Sequence, residues 1–151
     1  MLICLAMDRR RAFELGLIAT ALLLSLGGAA GCGGAPTRLV TVKSGTGTGP
    51  IQLEVKNLSD AAINNLFLAK SEQVGPELDD DSPQGQEVWG VDLLSGAIAT
   101  GTRVPVPVAG PGRWDVRALD RDGRYQRIAG LKLEAGGRYI LELNDSGWRV
   151  K

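Results

Sequence analysis

The sequence predicts an all-β protein: an antiparallel β-sandwich of seven to eight short strands, preceded by a signal peptide and a flexible linker. Three observations carry that expectation. Apolar and polar residues alternate with a period of two over short runs, the spacing of strands with one buried face. Clusters of Gly, Asp, Asn and Pro interrupt those runs at regular intervals, as turns do. Glycine is abundant at 21 residues and aromatics make up only 5%, which suits tight turns better than helices.

The chain divides into a leader over 1–31, a tether over 32–50 and a sandwich over 51–151. In the leader, Arg9, Arg10 and Arg11 form a basic region, and "LGLIATALLLSL" (Leu15–Leu26) is a 12-residue apolar core. That length fits the apolar region of an export signal and falls short of the ~20 residues a bilayer span needs. The apolar "MLICLA" precedes the arginines, whereas a signal should open basic. Met7 is the more ordinary start, and a chain beginning there lacks Cys4. Arg10, Arg11 and Phe13 partly match the twin-arginine pattern, so the export route stays open between that pathway and the general one.

Small residues lead into "AAGC" (Ala29, Ala30, Gly31, Cys32). This tetrad resembles the lipobox of bacterial lipoproteins, with Ala29 where that pattern usually has Leu. The resemblance implies diacylglyceryl attachment to the Cys32 sulfur, cleavage before Cys32 and acylation of the new α-amine by a palmitate-type chain. Two or more acyl chains anchor stably where one does not. A lone thiol in an oxidising compartment would otherwise be a liability. Gly33 stands where an Asp would signal inner-membrane retention, so the expected destination is the periplasmic leaflet of the outer membrane. The glycine-rich "SGTGTGP" (Ser44–Pro50) reads as a flexible leash, with "RLVTVK" inside it able to form one short strand.

The sandwich begins with "IQLEVKN", where Ile51, Leu53 and Val55 share a face. "NLSD" turns, and "AINNLFLAK" (Ala62–Lys70) is the next strand. Asn57-Leu58-Ser59 has the form of a glycosylation sequon, which carries little weight in a lipoprotein of this kind. "SEQVGPELDDDSPQGQE" (Ser71–Glu87) reads as a polar loop, and a turn or two of helix is expected only around Val91–Leu94. "TRVPVPVAG" has Pro105 and Pro107 opposite its valines. Prolines cannot donate ladder bonds, so this is an edge strand or an extended arm. "RWDVRAL" places Trp114, Val116 and Ala118 inward and Asp115 and Arg117 outward. "DRDG" makes a hairpin turn, "RYQRIAGLKLE" returns, "RYILELN" puts Tyr139, Leu141 and Leu143 inward, and "WRVK" closes the chain as a short strand.

The 17 basic and 17 acidic side chains cancel, so no whole-chain field attracts nucleic acid. Their distribution is uneven: four basic against nine acidic from Gly33 to Thr100, ten against six from Gly101 onward. In a β-domain the two halves interleave, and the expected result is charge pairing across strands. With no histidine there is no Ser-His or Cys-His dyad, and the one mature cysteine is taken by lipid. No nucleophile elbow, phosphate loop or dinucleotide fingerprint occurs, so neither an enzyme nor a cofactor is expected.

Three places could still bind. The acidic loop 77–81 offers Asp79, Asp80 and Asp81 to Ca²⁺, although consecutive aspartates in an extended loop point alternately and no EF-hand spacing is present. In "WGVDLL", Trp89 reads as a buried anchor, Gly90 as a sharp turn and Asp92 as the cap of the turn carrying Leu93 and Leu94. The alternative is a ligand patch of Trp89 and Asp92, joined by Trp114 and by Arg117, Arg121 and Arg124. The segments "VKNLSDAAINNLFLAK", "EVWGVDLLSG" and "RWDVRALDRDGRY" resemble a group of small exported bacterial domains sharing a W-G-x-D-x-L element. That resemblance implies a β-sandwich in an exported protein and transfers no catalytic residues.

The expected function is a non-catalytic binding or envelope-accessory module, held to the membrane through Cys32 and facing an envelope protein partner. The alternative is a Ca²⁺- or small-ligand-binding β-domain that uses the acidic loop.

Overall fold

Alternation produces strands where it was expected. The computed structural model describes residues 36–150; the leader, Cys32 and the last residue lie outside them. The strands are β1 (Arg38–Lys43), β2 (Gln52–Asn57), β3 (Ile63–Lys70), β4 (Arg103–Val106), β5 (Gly112–Asp120), β6 (Tyr125–Leu133) and β7 (Arg138–Leu143), with one helix, α1 (Pro83–Trp89). They form a four-stranded sheet in the order β1-β7-β2-β4 and a three-stranded sheet in the order β3-β5-β6. Every pair is antiparallel except β2 and β7, which run parallel. "WRVK" contributes only an isolated bridge, Arg149 to Tyr125, rather than an eighth strand.

The two sheets bury their facing sides against each other. Leu53 and Val55 of β2, Trp114, Val116 and Ala118 of β5, Leu131 and Leu133 of β6, and Tyr139, Leu141 and Leu143 of β7 join in one apolar cluster. Each fully buried aliphatic side chain there contributes roughly 1.5–3 kcal/mol. Strand β4 is an edge, which accommodates its one proline: Pro105 lies opposite Glu54 and its missing donor faces away from the sheet.

The tether is where the expectation changes. Strand β1 pairs with β7 from Arg38↔Glu142 to Lys43↔Arg138, so folded structure begins near Pro36 rather than at Ile51. Gly45 of "SGTGTGP" serves close packing: a side chain there would strike Glu134, and one on Gly136 in the facing turn would strike the Thr48 carbonyl. Gly47 and Gly49 instead take positive φ. The Thr46 and Gly47 amides donate to the Ala135 carbonyl, and Gly136 donates to Gly49. This stretch is a tight β1–β2 connection wedged against the β6–β7 turn.

The opposite end of the sandwich is held by polar groups. Among the described residues, five of the seven buried polar or charged side chains gather there: Asn57, Ser59, Asp120, Gln126 and Asn144. Asn57 explains the apparent sequon. Its amide donates to the Ala61 and Ile98 carbonyls at 2.8 and 2.9 Å, and its oxygen accepts from the Ser59 amide and hydroxyl. Asp120 accepts from the Asp122 and Arg124 amides and from the Arg124 guanidinium at 2.6 Å, which fixes the β5–β6 hairpin. Burial pushes the Asp120 pKa up, but the Arg124 side chain and those amides outweigh it and hold it below its ordinary value. Its stabilisation is therefore present above the ordinary carboxylate range and lost as pH falls through the depressed native value. Asp120→Asn is expected to lower the urea midpoint at neutral pH and to flatten its decline toward about pH 2. A decline as steep as that of the parent chain would count against this account.

The charge asymmetry resolves as pairing. Arg38 and Lys56 meet Glu142 across β1-β7-β2, Arg103 and Arg138 meet Glu54, and Arg124 meets Asp60.

Candidate functional site

One helix forms, but not at Val91–Leu94. It begins inside the stretch expected to be a polar loop, Ser71–Glu87, and runs on to Trp89. Ser82 caps it by accepting from the Gly85 amide at 3.0 Å, Pro83 occupies the first turn, and Gly90 ends it at φ +70°. Gly85 and Trp89 stand four residues apart on its inner face and are its buried residues. The composition hid this helix: its seven residues, "PQGQEVW", include a glycine and lack an apolar period. The Ser-Pro start and the Gly at its end were the readable signals.

Gly85 is required by proximity. A Cβ there would strike the Asp79 carbonyl oxygen and lie under 3 Å from Asp80 backbone atoms. Ala would gain about 1 kcal/mol of helix propensity over Gly, yet the overpacking costs about 1–3 kcal/mol. Gly85→Ala is thus expected to lower the melting temperature; an increase would show that the loop can yield.

The segment from Ser71 to Leu94 lies across the outer face of the three-stranded sheet as a strap. Asp115 and Arg117, expected to face solvent, sit beneath it at 2% and 6% exposure. Trp89 packs there with Ala69, Val74 and Phe67, in a cluster separate from the main core. Its indole nitrogen donates to Asp80 at 2.7 Å, and the Arg127 guanidinium lies 5.7 Å from its ring centre. Arg117 donates to Asp81 at 2.8 Å and to the Asp80 carbonyl at 3.2 Å. The Asp80 carboxylate lies 3.6 Å from both Arg117 and Arg127. Asp115 accepts from the Ser71 hydroxyl at 2.6 Å and from the Gly130 amide at 2.9 Å, and meets Arg127 at 3.6 Å.

The acidic run is thereby committed to internal work. Asp80 and Asp81 face arginines, and Asp79 holds the turn before the helix by accepting from the Asp81 amide. A divalent cation bound by Asp80 and Asp81 would have to displace Arg117 and Arg127. Among the described residues, no group of three His, Cys, Asp or Glu side chains is placed to hold a metal ion.

The ligand-patch residues are brought together only in part: Trp89 and Arg117 meet at Asp80, whereas Trp114, Arg121 and Arg124 lie elsewhere. Trp89 lies on the outer face of the three-stranded sheet, while Trp114 lies on its inner face and donates to the Gly110 carbonyl. Lys70 sits 4.2 Å from the Trp114 ring centre. Asp92 accepts from the Asn65 side chain and from the Leu66 and Leu94 amides, fastening the strap to β3. It does cap the turn at Leu94, in addition to a role the spacing did not reveal. Arg121 and Arg124 lie at the β5–β6 hairpin, away from Trp89.

What the strap does create is a cleft of about 680 Å³, walled by Leu78 and Asp79–Asp81 on one side and by Arg117, Arg127, Tyr125 and Arg149 on the other. Local patterning does not reveal it, because its walls come from segments about forty residues apart. A smaller cavity of about 530 Å³ lies beside the β6–β7 turn, lined by Pro111, Arg113, Lys132 and Ala135. No family model matches the chain, and no curated protein or solved structure is significantly similar to it.

Proposed function

We propose that this chain is an envelope lipoprotein, anchored through lipid on Cys32 to the periplasmic face of the outer membrane, whose sandwich acts as a non-catalytic binding module. The anchor rests on the Ala29-Ala30-Gly31-Cys32 tetrad behind a basic and apolar leader, and the outer membrane on Gly33. The surface assigned to binding is the strap cleft, which is mixed in charge and suited to a polar, peptide-like segment of an envelope protein.

The observation that carries the binding reading is the open cleft of about 680 Å³, whose walls bring Asp79, Asp80 and Asp81 opposite Tyr125, Arg127 and Arg149. Polar groups of both signs along one opening complement a polar chain better than an apolar one.

The experiment is fractionation of Cys32→Ser. The parent chain is expected in the membrane pellet and the variant in the soluble fraction. Retention of the variant in the pellet would refute anchoring at Cys32.

A further inference from the structure

Resting on the anchoring reading above, we infer that the polar-locked end of the sandwich lies directly on the lipid headgroups, and that the opposite end points into the periplasm. Only Gly33, Gly34 and Ala35 separate Cys32 from Pro36, so the anchored residue is at most about 14 Å of chain from Pro36. Pro36 has no slack. Its carbonyl accepts from Asn144 at 3.0 Å, and the Thr37 hydroxyl donates to Gln126 at 2.6 Å and accepts from the Asn144 amide at 3.1 Å. Strand β1 then runs away along β7.

The end so tethered carries the β2–β3 turn, the β5–β6 hairpin and residues 144–150. It exposes two large apolar side chains, Leu58 and Val150, the latter 81% exposed. Several of its charges are paired, Arg124 with Asp60 and Asp120 and Arg121 with Asp122, and the Asp60 amide donates to Asp145. A surface of paired charges with two protruding aliphatic groups suits a lipid headgroup layer held close by a tether, where effective concentration replaces intrinsic affinity. Strand β6 spans nine residues from this end to the other, about 30 Å. Ser44 and the β6–β7 turn therefore stand well clear of the bilayer.

The test uses the lipidated full-length protein in vesicles of phosphatidylethanolamine and phosphatidylglycerol containing a headgroup-nitroxide lipid. Once Cys32 carries lipid, the mature chain has no other cysteine, so single thiols can be placed cleanly. Asp122→Cys puts a fluorophore on the hairpin and Ser44→Cys puts one at the far end. Several-fold stronger quenching at Asp122→Cys than at Ser44→Cys is expected. Vesicle-bound, lipidated protein with equal or reversed quenching would overturn the orientation alone. Protein that carries no lipid and does not sediment with the vesicles would overturn the anchoring and this inference with it.

Discussion

Arg117→Ala is expected to lower the unfolding free energy by about 3 kcal/mol, toward the lower end for breaking a buried ion pair. The side chain is 7% exposed and its guanidinium reaches Asp80 and Asp81 together, although Asp81 itself is largely solvated. Removing it leaves the Asp80 carboxylate under the strap with Arg127 and the Trp89 indole as its remaining partners. It also strands the Asp80 carbonyl that Arg117 now satisfies. Arg117→Lys should recover little, because one ammonium cannot serve the carbonyl and two carboxylates in a planar fork. Equilibrium urea unfolding measures the loss. A value below about 1 kcal/mol would place the pair among exposed ones, whose contribution is small.

Trp89→Ala is expected to cost about 3–5 kcal/mol, the range for truncating a buried aromatic. The indole is 2% exposed and fills the space between the strap and β3. Its cluster is separate from the main core, so the loss should be uneven. Hydrogen exchange should accelerate most in residues 71–94 and least in β2 and β7, as expected for a locally opening unit. Trp89→Phe should fall between the two, restoring volume without the bond to Asp80. Uniform acceleration across both sheets would contradict the picture of a strap laid over a finished sandwich.

These residues also mark how far the sequence could be read. The sandwich and the inward faces of β2, β5 and β7 follow from local alternation, because each strand's period of two is written into its own residues. Pro105 and Pro107 identified an edge for an equally local reason. The strap was not legible. Asp115 and Arg117 alternate outward as solvent-facing residues do, and only the long-range return of Ser71–Leu94 buries them. The same distance effect hid the cleft, whose acidic wall precedes its basic wall by about forty positions. Glycine misled in another way. In "SGTGTGP" it was read as freedom, whereas Gly45, with Gly136 of the facing β6–β7 turn, permits close approach of two turns, a use that composition cannot distinguish. Trp89 was legible as an anchor because a lone large aromatic beside a glycine has few other uses, but its bond to Asp80 was not.

The central claim is that Cys32 is a lipid attachment point leading straight into the fold. Intact-mass and N-terminal analysis of the protein extracted from membranes tests it most directly. The account predicts a chain beginning at Cys32, heavier than its amino-acid sequence by a thioether-linked diacylglyceryl group and an amide-linked acyl chain. A chain beginning elsewhere, or one whose Cys32 thiol reacts freely with alkylating reagent, would contradict it.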